Sequence, residues 1–394
     1  MNWQRNLWTL CFSVIFSAAS YTMIIPFLPV YLLELGVSEG DISLWSGVVF
    51  SASFLIAAIM APIWGRSADK NGKKRMVLRA GYSLAACYVL GAIVTNPLQL
   101  LGVRILQGFA NGFLPASLAI VASSVPNEKL GFSLGCMQTG LLIGSIIGPL
   151  LGGTLSHYLG MRMAFFAAAG ALFLVTVAVA FLVQEPESTI NNNPKGGLLD
   201  DLKIACKAKV MRELLLLTFV VQLAIMVLQP IITLYIGKLQ GSMEGVAFIA
   251  GLVFSLGGFA GAFSAPVWGR IGQNKGYFNV LAITFLGAGI FCFLQFFPKN
   301  VFMFGALQFM VGIFIVGINP AISAILVNAS DEGFRGRIFG LLTTANQLGS
   351  MVGPLVGGMI ATLIGIEFVF VFTGTLLILI SIGVFIRYMK KNNA

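Results

Sequence analysis

Gly144-Ser-Ile-Ile-Gly148-Pro149-Leu-Leu-Gly152-Gly153 and Gly349-Ser-Met-Val-Gly353-Pro354-Leu-Val-Gly357-Gly358 are nearly the same ten residues, 205 positions apart in a chain of 394. Self-similarity at half the chain length marks an internal duplication. The match continues outward from this pair. At an offset of 204, Pro26 falls on Pro230, Tyr31 on Tyr235, and Ala61-Pro62-Ile63-Trp64-Gly65-Arg66 on Ala265-Pro266-Val267-Trp268-Gly269-Arg270. Gly72 pairs with Gly276, Arg104 with Gln308 and Gly108 with Gly312; further on, Gly131 pairs with Gly336 and Gly135 with Gly340. Matches in four separate regions predict two halves built alike.

Composition says what kind of halves they are. Hydrophobic residues make up 58% of the chain and charged ones 10%, too little charge to coat a soluble domain, and the mean hydropathy is +0.93. Apolar runs of twenty or more residues recur, each long enough to cross a hydrocarbon core of about 30 Å. Strictly alternating ten-residue segments, the mark of a β-barrel, are absent. The fold class expected is therefore an all-α polytopic membrane protein. Twelve spans are predicted, at 7–33, 41–64, 76–95, 97–123, 133–157, 163–183, 213–236, 245–268, 277–297, 300–327, 336–362 and 366–388. They group as a six-helix half over 1–183, a cytoplasmic linker over 184–212 and a second six-helix half over 213–394. The linker carries Asn191-Asn192-Asn193-Pro194 and then a basic amphipathic portion.

With the N-terminus inside, 20 of the 24 basic residues fall on the cytoplasmic side, which fixes both termini in the cytoplasm by the positive-inside rule. The same distribution accounts for the net charge of +10 without any nucleic acid. The first run is long and lacks a small-residue cleavage site, so no cleavable signal peptide is expected. The five cysteines (Cys11, Cys87, Cys136, Cys206, Cys292) show no metal-ligand spacing and read as small buried hydrophobes. Neither metal nor cofactor is expected, and a Walker-type nucleotide loop is absent.

Three segments carry chemistry. Gly65-Arg66-Ser67-Ala68-Asp69-Lys70-Asn71-Gly72-Lys73-Lys74-Arg75 joins spans two and three. Its glycines permit a tight turn, and Asp69 beside a basic run can pair with charges or helix ends; a plain positive-inside turn would explain the cations but not the aspartate. Arg104 is the one basic residue well inside a span, where a charge costs at least about 2.5–3.5 kcal/mol uncompensated. It reads either as part of proton coupling or as a structural hydrogen-bond hub. In the Gly-Pro-x-x-Gly-Gly segments, Pro149 and Pro354 kink their spans, while Gly144, Gly148, Gly152 and Gly353 allow a neighbouring helix to approach closely.

In this order and on these spans, the three segments resemble motifs of the major facilitator superfamily. The loop is similar to its cytoplasmic motif, Arg104-Ile105-Leu106-Gln107-Gly108 to its fourth-span motif, and Gly144 to Gly153 to the fifth-span motif of its drug:proton antiporter branch. The resemblance implies two pseudo-symmetric six-helix bundles with a substrate cavity where they meet. It implies a gating role for Asp69 with Gly65, Gly72 and Arg75, and a proton-transfer role for Arg104. The second copy departs from the pattern, with Gln273 in the place of Asp69, so the gate is expected in the first half. The repeat of the Gly-Pro segment in span eleven keeps simple packing symmetry open as its explanation.

In that superfamily spans one, four, seven and ten line the cavity. Tyr31 and Phe27 in span one, Asn111 in span four, Gln222, Met226 and Gln229 in span seven, and Gln308 and Asn319 in span ten become candidate substrate contacts. Helix–helix hydrogen bonding is the competing reading for each. None of the fourteen acidic residues sits clearly at mid-membrane; the proton carrier is expected to be Glu34, Asp69 or a network around Arg104. The resulting expectation is a non-enzymatic, monomeric secondary exporter of amphipathic compounds in a bacterial plasma membrane, exchanging small-molecule substrates for protons. A permease for one metabolite and a lipid-handling or sensory protein of the same fold are the alternatives.

Overall fold

The computed structural model describes residues 2–185, 209–328 and 335–392. These residues form fifteen α-helices and no strand. In the first half of the chain they are α1 Trp3–Thr22, α2 Leu28–Glu34, α3 Ile42–Asn71, α4 Lys73–Ile93, α5 Pro97–Ala110, α6 Phe113–Ser124, α7 Asn127–Leu159 and α8 Met161–Leu182. The rest are α9 Lys209–Gln240, α10 Val246–Lys275, α11 Tyr277–Leu294, α12 Val301–Ile315, α13 Ile318–Asn328, α14 Arg335–Leu363 and α15 Phe368–Asn392. Helices are what such apolar sequence must form, because lipid offers the backbone no hydrogen-bond partner. Most of the expected linker lies outside the described residues.

Among the described residues ten stretches are long and apolar enough to cross a membrane. The expected first and eleventh spans are not among them. The first is broken between α1 and α2 at residues 23–27, around Pro26, whose ring cannot continue a helix ladder. The eleventh, α14, carries Thr343, Thr344, Asn346 and Gln347 in its first half. Two more expected spans are helix pairs: α5 gives way to α6 at Asn111-Gly112, where Gly112 has φ +123°, and α12 to α13 at residues 316–317.

The chain divides into two compact units, Met1–Val37 with Ala52–Lys195 and Ala247–Leu252, and Ser38–Ser51 with Gly196–Val246 and Val253–Ala394. In the first, α1 packs on α7 and α8, and α4 on α8. Ser20 Oγ donates to the Ala168 carbonyl (3.2 Å), and Asn6 and Gln184 exchange two hydrogen bonds (2.7 and 3.0 Å), tying α1 to α8 along its length. In the second unit α9 packs on α14 and α11 on α15. Gly289 and Gly374 face each other there, and Phe285, Ile318, Ile322 and Leu341 are buried in a shared apolar core.

The duplication reaches individual hydrogen bonds. Trp64 Nε1 donates to the Phe109 carbonyl at 2.8 Å and Trp268 Nε1 to that of Ile313 at 2.7 Å. Asn96 caps α5 through the Gln99 amide (2.9 Å), and Asn300 caps α12 through the Met303 amide (2.8 Å). Tyr31 packs on Phe165 and Tyr235 on Phe370, its repeat.

Candidate functional site: a buried arginine and two glycine stripes

Arg104 sits on α5 and is 2% exposed. Its Nη1 donates to Gln107 Oε1 at 2.8 Å, one helical turn on. The phenols of Tyr21 on α1 and Tyr88 on α4 lie close enough to interact with its charge. This is a guanidinium among neutral polar groups, and two of those have capacity left over. The Tyr21 hydroxyl and Gln107 Nε2 are buried and make no hydrogen bond. Each such group costs about 1–3 kcal/mol. A fixed positive charge beside unused donors makes a polar spot inside an otherwise apolar bundle, fit to hold water or relay a proton. Tyr21 and Tyr88 were missed in the sequence because a neutral tyrosine in an apolar run carries no charge to mark it, and Gln107 was read only as part of a motif. Gln107 was within reach: it stands three residues after Arg104, on the same helical face.

The loop after span two is not a free turn. Asp69 falls in the last turn of α3, and its side chain lies outside the described residues. Gly72, with φ +96°, starts α4 in a conformation side chains rarely adopt. The Glu185 carboxylate, just past α8, accepts from the amides of Lys73 (2.6 Å) and Lys74 (3.0 Å), capping α4 at its positive end. A Cβ on Gly72 would stand 3.0 Å from Glu185 Oε2. Gly72 thus serves both the turn and this docking. Gly65 and Arg75 are exposed, with open space beside Gly65. One turn along α4, Arg79 lies over the Trp64 ring (3.7 Å to the centroid) and donates to the carbonyls of Phe109 (3.2 Å) and Asn111 (2.7 Å). It therefore ties α3 and α4 to the point where α5 breaks. Glu185, in the expected linker, and Arg79, near the start of the expected third span, had no motif to mark them.

The glycine stripes each meet one particular helix. A Cβ at Gly148 would stand 2.7 Å from the Ala19 carbonyl of α1, and one at Gly353 2.7 Å from the Leu223 carbonyl of α9. Gly144 and Gly152 press on Ile15 and Met23, as Gly349 and Gly357 press on Phe219 and Val227. Thr22 Oγ1 bonds the Gly144 carbonyl (3.3 Å) across the first contact, and Gln222 Nε2 bonds Ser350 Oγ (3.0 Å) across the second. The last glycine of each stripe points elsewhere. In the first unit Gly153 faces Ala247 and Phe248 at the start of α10, with the Ala247 carbonyl 2.6 Å from an added Cβ; in the second, Gly358 faces the Ser43 carbonyl of α3 at the same 2.6 Å.

The cavity candidates separate into two groups. Phe27 and Tyr31 are fully buried against Phe165, and the Tyr31 hydroxyl donates to the Gly91 carbonyl (3.0 Å). They take part in packing between helices, and the face they share with Ser20 is turned to α8. Gln308 accepts from Gln295 Nε2 (2.6 Å), a bond between neighbouring helices. Gln222 and Met226 lie along the Gly349–Gly353 stripe. Gln229 Oε1 is buried without a partner. Asn111 and Asn319 are exposed, Asn111 capping its own break with Oδ1 on the Gly112 amide (2.6 Å), and Glu34 is exposed at the end of α2. Cys11, Cys87 and Cys292 are buried. Among the described residues no group of three His, Cys, Asp or Glu could hold a metal ion.

The family description Major Facilitator Superfamily matches residues 10–297 and 214–394. The multidrug resistance protein MdtG of Proteus mirabilis is 36% identical over 377 residues, covering 94% of this chain and 93% of that protein. The multi-drug resistance efflux pump PmrA homolog of Lactococcus lactis is 34% identical, covering 99% and 96%. Among solved structures, the nucleoside transporter NupG superposes with a TM-score of 0.81 at 16% identity, covering 98% of this chain and 99% of that one. The human organic anion transporter MFSD10 superposes with a TM-score of 0.74 at 18% identity, covering 98% and 100%. The all-helical fold, the two glycine stripes and matches that span the sequence agree: the chain belongs to the Major Facilitator Superfamily and is a membrane transport protein.

Proposed function

We propose that this protein exports amphipathic, structurally varied small molecules across a bacterial plasma membrane by alternating access, exchanging them for protons. The observation that carries the reading is the buried Arg104 with the unsatisfied hydroxyl of Tyr21 and amide of Gln107 beside it. Curated relatives named for multidrug resistance and efflux support the direction and the breadth of substrate. In this reading Arg104 holds a fixed charge that repels a proton or a cationic substrate in one state and is screened in the other. Asp69 or Glu34 takes up the proton. Gln229 and Asn319 of the second half, 213–394, contact the substrate, both termini lie in the cytoplasm, and the protein acts as a monomer.

The test is dye accumulation in cells that overproduce the protein against cells that lack it, repeated in vesicles with and without an inward proton gradient. Overproduction should lower accumulation of several unrelated amphipathic dyes. Collapse of the gradient, or Arg104→Ala, should restore it. Accumulation that does not change across a broad panel would sink the multidrug reading, and efflux indifferent to the gradient would sink the proton coupling.

A further inference from the structure

The first unit contains a cavity of about 740 Å3 that the transport reading does not use. It opens among α1, α7 and α8, near the end that bears both the N-terminus and Gln184. Trp8 and Phe12 of α1, Thr139 and Ile143 of α7, and Ala178 and Leu182 of α8 line it. Its direction follows from what else α1 touches. Asn6, Ser13 and Ser20 lie on the α8 side, where Ser20 bonds to α8 and Asn6 to Gln184 just past its end; Ile15, Ala18 and Met23 meet the glycines of α7; Tyr21 lies within reach of the charge of Arg104. Trp8 and Phe12 occupy the remaining side, between α7 and α8 and away from Arg104, and are 60% and 57% exposed. Large apolar side chains left open on that side of a membrane helix face acyl chains.

The rim supplies the second half of a lipid. Arg5 stands three residues before Trp8 on the same face of α1, and Lys129 stands seven before Cys136, another lining residue, on α7. Both are exposed, and both lie on the end of the unit that the distribution of basic residues assigns to the cytoplasm. A tryptophan at that depth is the ring that favours the headgroup boundary. We propose that this cleft is a binding site for an anionic phospholipid of the cytoplasmic leaflet, one acyl chain lying between α7 and α8 and the phosphate facing Arg5 and Lys129.

The test uses the full chain in nanodiscs of phosphatidylcholine doped with brominated phosphatidylglycerol or brominated phosphatidylcholine. The chain has five tryptophans, so the Trp8 signal is isolated as the difference between wild type and Trp8→Phe. Brominated phosphatidylglycerol should quench that signal at a mole fraction at least about fivefold lower than brominated phosphatidylcholine does. Arg5→Gln combined with Lys129→Gln should erase the preference. Ala178→Phe, which fills the cleft, should leave only equal quenching by both lipids; Thr139→Phe, at an exposed position, serves if that variant fails to fold. Equal quenching in wild type, a preference that survives the double charge variant, or its removal by a transported dye instead of by filling the cleft would overturn the assignment.

Discussion

Gly148→Ala and Gly353→Ala test the glycine stripes, because each glycine meets a carbonyl of its partner helix at the same distance. At each, the new methyl would stand 2.7 Å from a backbone carbonyl, of Ala19 in one case and Leu223 in the other; at Gly353 it would also stand 2.7 Å from Met226 Cβ, and at Gly148 it would meet the Thr22 hydroxyl more closely still. Comfortable non-bonded separations begin near 3.5 Å. The carbonyl belongs to a helix and cannot swing aside, so the helix pair must part by roughly 0.5–1 Å. Overpacking of this kind costs about 1–3 kcal/mol, and membrane helices depend on such small-residue contacts more than on any hydrophobic drive. Gly135→Ala on α7 is the control. Its Cβ meets nothing within 4 Å, and alanine gains about 0.8–1 kcal/mol of helix propensity. Thermal midpoints of the purified variants in detergent should therefore rank Gly135→Ala at or above wild type, and the stripe variants below it by similar amounts. A stripe variant as stable as Gly135→Ala would refute the reasoning, since it would mean that the helices part without cost.

Further outcomes follow from the same geometry. Arg104→Gln should cut proton-driven dye efflux tenfold or more while leaving the thermal midpoint unchanged or higher, because a buried charge is removed along with its desolvation; vesicle transport and melting, measured together, check this. Glu185→Ala should destabilise by about 1–3 kcal/mol through loss of both amide contacts at the start of α4, read as a lower midpoint. Trp64→Leu should cost more than Trp268→Leu. Each loses one indole–carbonyl hydrogen bond worth about 0.5–1.5 kcal/mol, but among the described residues Trp64 alone also carries a guanidinium, adding about 0.5–2 kcal/mol. Equal midpoints for the two tryptophan variants would show that the Arg79 stacking contributes nothing.

What the sequence disclosed and what it hid divide along one physical line. Hydropathy and duplication depend on many residues at once, so the helical class, most of the spans and the pairing of Trp64 with Trp268 were legible without coordinates. Helix breaks depend on one or two residues inside an apolar run, and a window of twenty averages them away: Pro26 and Gly112 were visible letters whose effect on spans one and four was not read. Phe27 and Tyr31 were legible as residues of span one but not as to what they meet. Periodicity gives an angle about one helix, and only the neighbour's position turned their face to α8 and made Tyr31 a packing residue. Arg104 shows the same limit from the other side. Its burial was deducible from a charge within an apolar run, but Tyr21 and Tyr88 come from spans 83 and 16 residues away in sequence and carry no charge to announce them. The two halves also differ where chemistry is expected. Helix-packing glycines survive in both because backbone contact tolerates no side chain in either copy. Arg104 became Gln308, which the second half spends on a neutral bond to Gln295. A duplicated frame can thus keep its contacts symmetric while, among the described residues, the buried charge of Arg104 has a neutral counterpart in the second copy; in the reading proposed above, that asymmetry lets the two halves respond differently to the same proton.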